Sequence, residues 1–413
     1  MKILHILPYF YPAMTFGGIV RAAFDIALEQ ARQGHSVTVI TTDAFDINKR
    51  VSGQKEKPFD DLDVTILRCK NFSNFLAYNF QLYLPMGFSG ILQKPLTNCE
   101  VVHLHGNRNL LNYLAVKAAR KLGKRIVFSP HGTMENFETK IFLKKAFDYF
   151  FNHQVISSVN TFIAVSEKEK EEIINQGIEA EKIKLIYNPL NIKNISHSID
   201  VKETLGFHNR KVITFLGRLS KTKGLTFFVD VLNALETKNL LFVVAGNDMG
   251  YKKEITEKLN TLNIPWQDIS LTSIAGKNNA FDNVREVDAV DKVVQFTGFI
   301  DGEIKNSLLA SSDIFVYPSE KEIFGLSPFE AIQNNTPVIV SEESGCGEMI
   351  KKAQCGYTLS FGDIHSWKST LEKVLEEQNN IKPMMEKGQS FIKKELDVSV
   401  VVEKLIDSYK GID

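Results

Sequence analysis

Two carboxylates, Glu322 and Glu330, stand in the arrangement Glu322-x7-Glu330, in a segment that leaves a predicted strand at Tyr317 and enters a predicted helix. Carboxylates accept hydrogen bonds, so a pair of them suits the hydroxyl groups of a ribose or a hexose. The segment follows the carboxyl end of its predicted strand, which is where open α/β sheets bind ligands. The pattern therefore favours a site for a hydroxyl-rich ligand.

The same segment also has a purely structural interpretation. Ser327 as N-cap, Pro328 at the first helical position and Glu330 at the third would form a capping box. Helix capping and ligand binding are both open interpretations of Glu330 at this point.

A second segment, Gly217-Arg218-Leu-Ser-Lys-Thr-Lys223-Gly224, also connects a predicted strand to a predicted helix. Arginine offers a planar fork of donors and lysine a compact positive charge, a combination that suits phosphate. The N–H groups at a helix N-terminus would add further donors. A solvated basic turn is the structural alternative for this segment.

A glycine pair, Gly17 and Gly18, lies in the corresponding turn of the first half of the chain. Adjacent glycines before a helix allow the main chain to approach a phosphate or a sugar. A tight turn explains the pair equally well.

The elements that must position these segments alternate between β-branched apolar runs and helical spacing, which predicts parallel sheets covered on both faces. The pattern predicts one α/β domain over 1–190, a linker over 191–209 and a second α/β domain over 210–395. A last helix, about 396–413, could pack on either domain. The segment Ile264–Asp291 has no clear period. The predicted strands are Lys2–Leu7, Ser36–Thr42, Val64–Leu67, Val101–Leu104, Ile126–Phe128, Phe162–Val165, Ile183–Tyr187, Val212–Leu216, Leu240–Ala245, Val293–Phe296, Ile314–Tyr317, Pro337–Val340 and Tyr357–Ser360.

Composition excludes several classes of protein. The 413 residues are enough for two or three domains. With 49 basic and 49 acidic residues the chain has no net charge, which argues against a nucleic-acid partner. Its 4 cysteines form no C-x-x-C pair, so neither a disulfide framework nor a thiolate zinc site is indicated and a cytoplasmic location is expected. The apolar N-terminal run meets aromatics and prolines, which is typical of a strand and not of a signal peptide.

Two short patterns could suggest a metal. His103-x-His105 at a strand end places two imidazoles on one face, which fits a metal pair or a hydrogen-bonded, acceptor-lining role. Asp61-Leu-Asp63 stands in a polar turn before a strand. The sequence offers no third ligand for either pattern, so we predict no metal and no cofactor.

Taken together, these segments resemble the retaining nucleotide-sugar glycosyltransferases of family 4, also called glycosyl transferases group 1. That resemblance implies a GT-B fold, in which two Rossmann-like, doubly wound parallel-sheet domains face each other across a cleft. Further matching motifs are Ser129-Pro-His131-Gly132, Ala164-Val-Ser166-Glu167, Tyr187-Asn188-Pro189, Ala245-Gly246, Phe296-Thr-Gly298 and Gly345-Cys-Gly347-Glu348.

The resemblance also implies roles for individual residues. Arg218 and Lys223 would clamp the donor diphosphate, and Glu330 would hold the nucleotide ribose. Glu322 would hold hydroxyls of the transferred sugar, and His131 would contact that sugar near the reacting carbon. The implied catalytic residues are therefore His131, Arg218, Lys223 and Glu322, and the implied donor-binding residues are Gly17, Gly18, Asn188, Gly217, Arg218, Lys223, Gly246, Phe324, Gly325, Leu326 and Glu330.

The expected function is transfer of a hexose-type sugar from a UDP- or GDP-sugar to a glycan or lipid-linked acceptor, in the synthesis of cell-surface polysaccharide or glycoconjugate. One alternative is a nucleotide-sugar epimerase or hydrolase of the same fold, and another is a non-catalytic nucleotide-sugar binding protein. A third is an NAD-dependent oxidoreductase, which Asp43 at the end of the second strand would suit, although the chain lacks G-x-G-x-x-G in its first turn.

Aromatic residues are dense in two segments, 71–93 and 140–150, and lysines flank the second one. Such patches can dock on a membrane surface, which would make the enzyme peripheral at the inner face of a membrane. Burial in the core is the alternative interpretation of these aromatics. The oligomeric state is not indicated by the sequence.

Overall fold

A computed structural model describes residues 1–14, 17–46, 48–53, 55–134, 147–192, 210–269, 290–376 and 381–412. The chain forms two compact units. Unit 1 comprises Met1–Asn191 together with Glu395–Asp413, and unit 2 comprises Ile192–Lys394. The C-terminal helix therefore belongs to unit 1.

Unit 1 is built on a sheet of nine strands in the order β3-β4-β2-β1-β6-β7-β8-β9, with β5 paired to β4. Of these nine described strands, only β3 and β5 run antiparallel to their neighbour. The strands are β1 (Lys2–Ile6), β2 (Ser36–Thr42), β3 (Lys55–Glu56), β4 (Val64–Asn71), β5 (Pro85–Met86), β6 (Val101–His105), β7 (Arg125–Ser129), β8 (Thr161–Ala164) and β9 (Ile183–Leu185).

Helices cover both faces of this sheet. The first helix ends at Arg32, and Gly34 follows in the left-handed conformation that a helix C-terminus favours. The described helices of unit 1 are α1 (Gly18–Arg32), α2 (Asn74–Phe80), α3 (Phe88–Asn98), α4 (Leu110–Lys121), α5 (His153–Ile156), α6 (Glu167–Asn175) and, at the C-terminus, α14 (Val398–Lys410); a π-helical turn, Asp148–Asn152, precedes α5.

Successive side chains of a strand point to opposite faces of the sheet, so neighbouring residues belong to different buried clusters. Ile3 of β1 and Val101 of β6 pack in one buried cluster with α14, whereas Leu4 and Val102 pack in the opposite cluster. Following the same period, His5 shares the α14 face and stands in register with His103. Apolar packing therefore fills the start of this face, and histidines occupy its carboxyl end.

Unit 2 has an entirely parallel sheet in the order β12-β13-β11-β10-β14-β15-β16. The strands are β10 (Lys211–Leu216), β11 (Leu240–Ala245), β12 (Trp266–Asp268), β13 (Lys292–Gly298), β14 (Ile314–Tyr317), β15 (Val338–Ser341) and β16 (Tyr357–Leu359). The described helices are α7 (Leu225–Ala234), α8 (Lys252–Thr261), α9 (Gly302–Ala310), α10 (Ser327–Gln333), α11 (Gly345–Ala353), α12 (Ile364–Glu376) and α13 (Lys382–Phe391).

The segment without a clear period, 264–291, is described only in part. It contributes the edge strand β12, which pairs with β13, while residues 270–289 lie outside the described residues. All four cysteines are buried free thiols. Within the described ranges, no helix is both long and apolar enough to cross a membrane.

Candidate functional site

Two loops of unit 2 converge because the strands that precede them are neighbours. Strands β10 and β14 pair in parallel, so their carboxyl ends meet at one edge of the sheet. Lys223, after β10, donates a hydrogen bond from Nζ to the Tyr317 hydroxyl at 2.6 Å and forms an ion pair with Glu322. The Tyr317 hydroxyl in turn donates to the Glu322 carboxylate at 2.9 Å. A cation, a phenol and a carboxylate thus form one closed cluster, which we call the charged cluster.

Main-chain contacts hold the loops of the charged cluster in place. Glu320 N–H donates to the carbonyl of Thr222 at 3.0 Å, and Gly345 N–H donates to the carbonyl of Glu322 at 2.8 Å. Gly224 has φ +67°, and a Cβ there would stand 1.9 Å from the carbonyl oxygen of Pro318. Only glycine permits this approach, so the turn at Gly224 sets the spacing between the two loops.

Electrostatics keep the carboxylate charged. Burial opposes ionisation of Glu322, but Lys223, the bond from Tyr317 and the charge of Arg218 outweigh burial and hold its pKa below the usual range. Burial and the nearby Glu322 raise the pKa of Tyr317 well above its ordinary value, so the phenol keeps its proton. Arg218 is exposed. The cluster therefore offers a buried cation beside an accessible guanidinium, which suits a diphosphate.

Other predicted donor residues of unit 2 line the same edge of the sheet. At Gly246 a Cβ would stand 1.8 Å from the carbonyl oxygen of Gly217, so the turns after β10 and β11 cross in close contact. Gly325 has φ +79°, and a Cβ there would approach Cys346 Sγ and the Tyr317 ring to 3.0 and 3.1 Å. Phe324 is buried, and Leu326 is partly exposed.

Glu330 is not part of the charged cluster and forms a separate buried ion pair with Lys305. The capping interpretation of Glu330 is wrong: the helix begins at Ser327, with Leu326 as its N-cap and no side-chain capping hydrogen bond. The Glu330 carboxylate instead accepts from Lys305 Nζ of α9 at 2.9 Å, and both side chains are buried. Lys305 also pairs with Asp301 at 3.1 Å. A full positive charge outcompetes the weak dipole of a peptide N–H, so the carboxylate faces α9.

In unit 1 the glycine pair forms the N-terminus of α1. Gly17 has φ +104°, and Gly18 is the first helical residue, with no side-chain hydrogen bond to the helix N-terminus. Gly18 is exposed, and no atom of the described residues lies within 4 Å of the position a Cβ would take. The N–H groups of the first turn can therefore be reached by an anionic or polar ligand. Thr15 and Phe16 lie outside the described residues.

His131 follows β7 and ends a line of buried polar side chains. Its Nε2 lies 3.0 Å from Nδ1 of His105, whose Nε2 lies 2.9 Å from Nδ1 of His5. His5 Nε2 lies 2.8 Å from Oε1 of Gln30 in α1. A branch continues from Gln30 Nε2 to the Tyr409 hydroxyl at 3.1 Å. We call these side chains, together with His103 and Ser129, the histidine network.

The branch of the histidine network ends at β7. Tyr409 of α14 lies 2.6 Å from Nδ1 of His103, and Nε2 of His103 lies 2.8 Å from the hydroxyl of Ser129. His131 itself adopts φ +54°, a conformation that is uncommon outside glycine. The next residue anchors the turn, because Gly132 N–H donates to the buried carboxylate of Glu169 at 2.5 Å.

Burial keeps the network neutral. Burial lowers the pKa values of His5 and His131 to about 4 each. A hydrogen bond with Gln30 partly raises the pKa of His5, and a hydrogen bond with Asn188 does the same for His131. Burial also lowers the pKa values of His103 and His105 well below their ordinary range. At neutral pH all four rings are therefore uncharged imidazoles, each with one donor and one acceptor nitrogen.

Three of these rings could be considered as metal ligands. His5, His103 and His105 each bring a nitrogen within 4.8 Å of the others. However, both nitrogens of every one of these rings already have a hydrogen-bond partner in the network. A metal would have to break several of these buried hydrogen bonds. The donor set therefore fits a hydrogen-bonded network better than a metal site.

Sequence reasoning missed several members of these clusters. The sequence predicts Tyr317 only as the end of a strand, although its hydroxyl is the third partner of Lys223 and Glu322. The equal position of His5 and His103 in adjacent parallel strands was a readable signal. Nothing in the sequence links Gln30 to Tyr409 or Lys305 to Glu330, because these contacts depend on how helices pack.

Two family models match the chain and together span most of it. The model described as "Glycosyl transferases group 1" matches residues 198–391, and the model described as "Glycosyltransferase Family 4" matches residues 16–194.

Individual relatives are distant. The chain is 24% identical over 356 residues to an uncharacterised glycosyltransferase of Methanocaldococcus jannaschii, MJ1607, covering 83% of this chain and 80% of that one. It is 21% identical over 420 residues to the alpha-1,3/1,6-mannosyltransferase alg2 of Schizosaccharomyces pombe, covering 96% and 79%. Among solved structures, Anabaena Alr3699/HepE in complex with UDP and glucose superposes with a TM-score of 0.73 at 17% identity, covering 100% of both chains.

Proposed function

The chain belongs to the group 1 glycosyltransferases and has the GT-B fold, and from this premise we propose that it is a retaining hexosyltransferase. The donor is a UDP- or GDP-sugar, and the acceptor is a glycan or a lipid-linked saccharide of a cell-surface polysaccharide or glycoconjugate. The observation that carries the proposal is the contact between Lys223 and Glu322 at the carboxyl ends of two neighbouring strands.

The charged cluster supports a division of labour during transfer. The bond between the anomeric carbon and the phosphate oxygen breaks, and its electron pair leaves with the diphosphate. Lys223 and Arg218 stabilise the charge that develops there. The acceptor hydroxyl attacks from the same face, and its proton passes to the departing diphosphate oxygen. Because two cationic side chains serve the diphosphate, we propose that transfer needs no metal ion, and full activity in the presence of EDTA is the expected result.

The remaining donor contacts follow from the same arrangement. Glu322 accepts hydrogen bonds from sugar hydroxyls once the diphosphate competes for Lys223. Glu330 reaches the ribose only if its pair with Lys305 opens or is shared, which the buried geometry of that pair makes costly. In unit 1, Gly17 and Gly18 leave the N-terminus of α1 open to a polar ligand.

The oxidoreductase alternative loses its structural support. Asp43, the candidate for binding an NAD ribose, accepts from Arg50 Nη1 at 2.7 Å and from the N–H of Asn71 at 2.8 Å. Its carboxylate is therefore part of the fold of unit 1. The family assignment points the same way.

A panel of donors tests the proposal. Ligand-detected NMR with UDP-, GDP-, ADP- and dTDP-sugars should reveal binding of one base class, and that donor should release nucleoside diphosphate when candidate acceptors are added. Product analysis then separates the alternatives: a new glycoside indicates transfer, free sugar indicates a hydrolase, and an altered sugar on the nucleotide indicates an epimerase. Binding of NAD with no binding of any nucleotide sugar would contradict the proposal.

Exposed aromatics support the lipid-linked class of acceptor. The segment after β4 exposes Phe72 (62%), Phe75 (58%) and Phe80, with the rings of Phe75 and Phe80 6.2 Å apart. The core interpretation is wrong for these three residues and right for Tyr83 and Phe88, which are buried.

A second exposed pair, Tyr149 (82%) and Phe150 (62%), lies in the π-helical turn before α5, and its rings are 5.1 Å apart. The lysines at 140, 144 and 145 lie outside the described residues. Exposed aromatic groups of this kind suit insertion at a membrane interface.

Cosedimentation with anionic liposomes at low salt tests this part of the proposal. We expect the protein to pellet with the vesicles and the double variant F72S/F75S to bind at least severalfold more weakly, because each ring contributes apolar area to the contact. The control is L122S, which removes an apolar side chain that is also exposed (50%) but lies at the end of α4, away from the aromatic segment. No cosedimentation of the unmodified protein would contradict membrane docking while leaving the donor chemistry untouched.

A further inference from the structure

The start of α6 uses one oxygen of the Glu169 carboxylate. Ser166 is the N-cap of this helix, and its hydroxyl accepts from the N–H of Glu169 at 3.1 Å. In return, Oε2 of Glu169 accepts from the N–H of Val165 at 2.8 Å, close to the reciprocal bond of a capping box. These two bonds account for the start of the helix and leave Oε1 to another contact.

The second oxygen of Glu169 holds a different turn. Oε1 accepts from the N–H of Gly132 at 2.5 Å, in the turn that follows β7. Because β7 and β8 pair in parallel, the turns after them lie side by side at the carboxyl edge of the sheet. One buried carboxylate therefore ties two neighbouring turns together, with one oxygen to each.

The turn after β7 has an unusual main chain that this tie helps to fix. His131 has φ +54° and Gly132 has φ +76°, so two successive residues are left-handed. A side chain makes that conformation unfavourable, and it persists only where surrounding contacts fix it. The ring of His131 is held by His105 on one side and by Asn188 on the other. The bond to Glu169 holds the main chain of the same turn.

Both bonds of the tie require an ionised carboxyl. A carboxylate accepts at both oxygens, whereas a protonated carboxyl carries its proton on one of them, and that oxygen becomes a donor and a weak acceptor. Protonation therefore weakens the bond from Gly132 or the bond from Val165. A buried N–H that loses its acceptor is costly, so protonation of Glu169 loosens the hold on one of the two turns.

Burial places this change near neutral pH. It raises the pKa of Glu169 to about 7, and the bonds from Gly132 and Val165 act in the opposite direction. The carboxyl is thus ionised at pH 8.5 and mostly protonated at pH 6.

Other titratable groups of the described residues surround the same turns. His131 has a pKa of about 4, so its ring stays neutral above pH 6. Arg108, which donates to main-chain carbonyls just after the turn, forms an ion pair with Asp148 at 3.0 Å. Glu172 lies one turn further along α6 and is also buried. A titration of the turn between pH 6 and pH 8.5 must therefore be assigned between Glu169 and Glu172, which substitution separates.

We propose that Glu169 is a positioning residue, whose ionised carboxyl fixes the turn that carries His131 and whose protonated form loosens it. Glu169 acts through the main chain of Gly132 and contacts no substrate itself. The consequence for sugar transfer rests on the proposed function, whereas the state of the turn does not.

The amide of Gly132 reports on the tie directly. Labelling the full chain with ¹³C-carbonyl histidine and ¹⁵N-glycine selects the two His–Gly pairs of the sequence, His105–Gly106 and His131–Gly132. Gly106 is a built-in control, because its N–H donates to the main-chain carbonyl of Ser129 at 2.9 Å and not to a carboxylate. The Gly132 signal is identified by its loss in H131N.

Between pH 8.5 and pH 6 we expect the Gly132 amide proton to move upfield with a midpoint near pH 7, and that of Gly106 to move severalfold less. In E169Q, whose amide does not ionise, the Gly132 signal should be independent of pH over this range. The matched control is E167Q, which removes an exposed carboxylate from the same turn of α6 and should titrate like the unmodified protein.

A Gly132 signal that stays still in the unmodified protein overturns the proposal, and so does a titration that persists in E169Q. If E169Q does not fold, E172Q decides. A Gly132 titration that survives in E172Q supports Glu169 as its source, and one that is lost there overturns the proposal.

Activity gives a second readout that separates this inference from the proposed function. With a donor identified by the panel, kcat/KM of E169Q should be about tenfold below that of the unmodified enzyme at pH 8.5 and within about twofold of it at pH 6, where the unmodified carboxyl is protonated as well. A ratio that is equal at the two pH values overturns the proposal, because a purely structural loss does not follow this titration. If no nucleotide sugar binds, the proposed function fails, and the Gly132 titration still tests the tie.

Discussion

The two units bury polar groups in opposite ways at the carboxyl ends of their parallel strands. Unit 1 buries uncharged imidazole rings that hydrogen-bond to one another, so its histidine network fixes ring orientations without any buried charge. Unit 2 buries the charged ammonium group of Lys223 in an ion pair with Glu322, so a fixed positive charge is present at this edge of the sheet. A neutral network specifies which atom donates, whereas an ion pair specifies where charge is stabilised. Recognition of hydroxyls suits the first arrangement, and recognition of a diphosphate suits the second.

The largest expected effect comes from removing the charge of unit 2. K223A should lower the transfer rate by about 10² to 10³, the cost of removing one preorganised group that stabilises developing charge. K221A is the matched control, because Lys221 lies two residues away in the same turn and is exposed. Its rate should stay within about twofold of the unmodified enzyme. Steady-state kinetics with the donor identified by the panel provide the measurement.

Lowering the pH should reduce the free energy of unfolding of unit 1 more than that of unit 2. Histidines with folded pKa values below 6.5 take up protons only on unfolding, so stability is lost as pH falls below 6.5, by up to about 1.4 kcal/mol per pH unit for each ring. Glu169 opposes this loss, because burial raises its pKa to about 7 and favours its protonated, folded form as pH falls. With four buried rings against one carboxyl, unit 1 should lose about 2 to 4 kcal/mol between pH 7 and pH 5.5.

The tryptophans allow this to be measured. Both of them, Trp266 and Trp367, belong to unit 2, whereas circular dichroism reports on both units. Urea titrations should show a circular dichroism transition that moves to lower urea at pH 5.5 and a fluorescence transition that moves much less. Equal movement of the two transitions would show that the histidines do not distinguish the units.

A smaller effect is expected at the buried ion pair between Lys305 and Glu330. E330A removes one of the two carboxylates that pair with Lys305 in the described residues, so it should lower the free energy of unfolding by about 3 kcal/mol, the low end for a broken buried pair. E330Q keeps an acceptor and should cost about half as much. Urea unfolding followed by tryptophan fluorescence measures both variants. A stability loss that is equal in E330A and E330Q would contradict the role given to Lys305.

The sequence predicted the scaffold better than the contacts. Strand bounds were predicted correctly at Ser36–Thr42, which is rich in β-branched residues, and at Leu240–Ala245, where burial of every residue leaves a continuous apolar run. The two-residue strands at Lys55–Glu56 and Pro85–Met86 went unpredicted, since two residues carry no periodicity.

Within the site, the segments around Lys223 and Glu322 were readable as local motifs that follow strands. The residues that these side chains contact could not be predicted from local motifs. Tyr409 hydrogen-bonds to Gln30, which lies 379 residues earlier in the sequence, and Lys305 pairs with Glu330 of another helix. Such contacts depend on tertiary packing, which a local pattern does not encode.

The measurement that tests the central claim most directly is the affinity gained from the diphosphate. Calorimetry of the nucleoside and of its diphosphate, with the base that the donor panel selects, gives the ratio of the two affinities in the unmodified protein and in K223A. If the charged cluster binds the diphosphate, the ratio should fall by about tenfold or more in K223A, the worth of one charge-assisted hydrogen bond, while nucleoside affinity stays the same. An unchanged ratio would contradict the assignment of the donor site to Lys223 and Glu322.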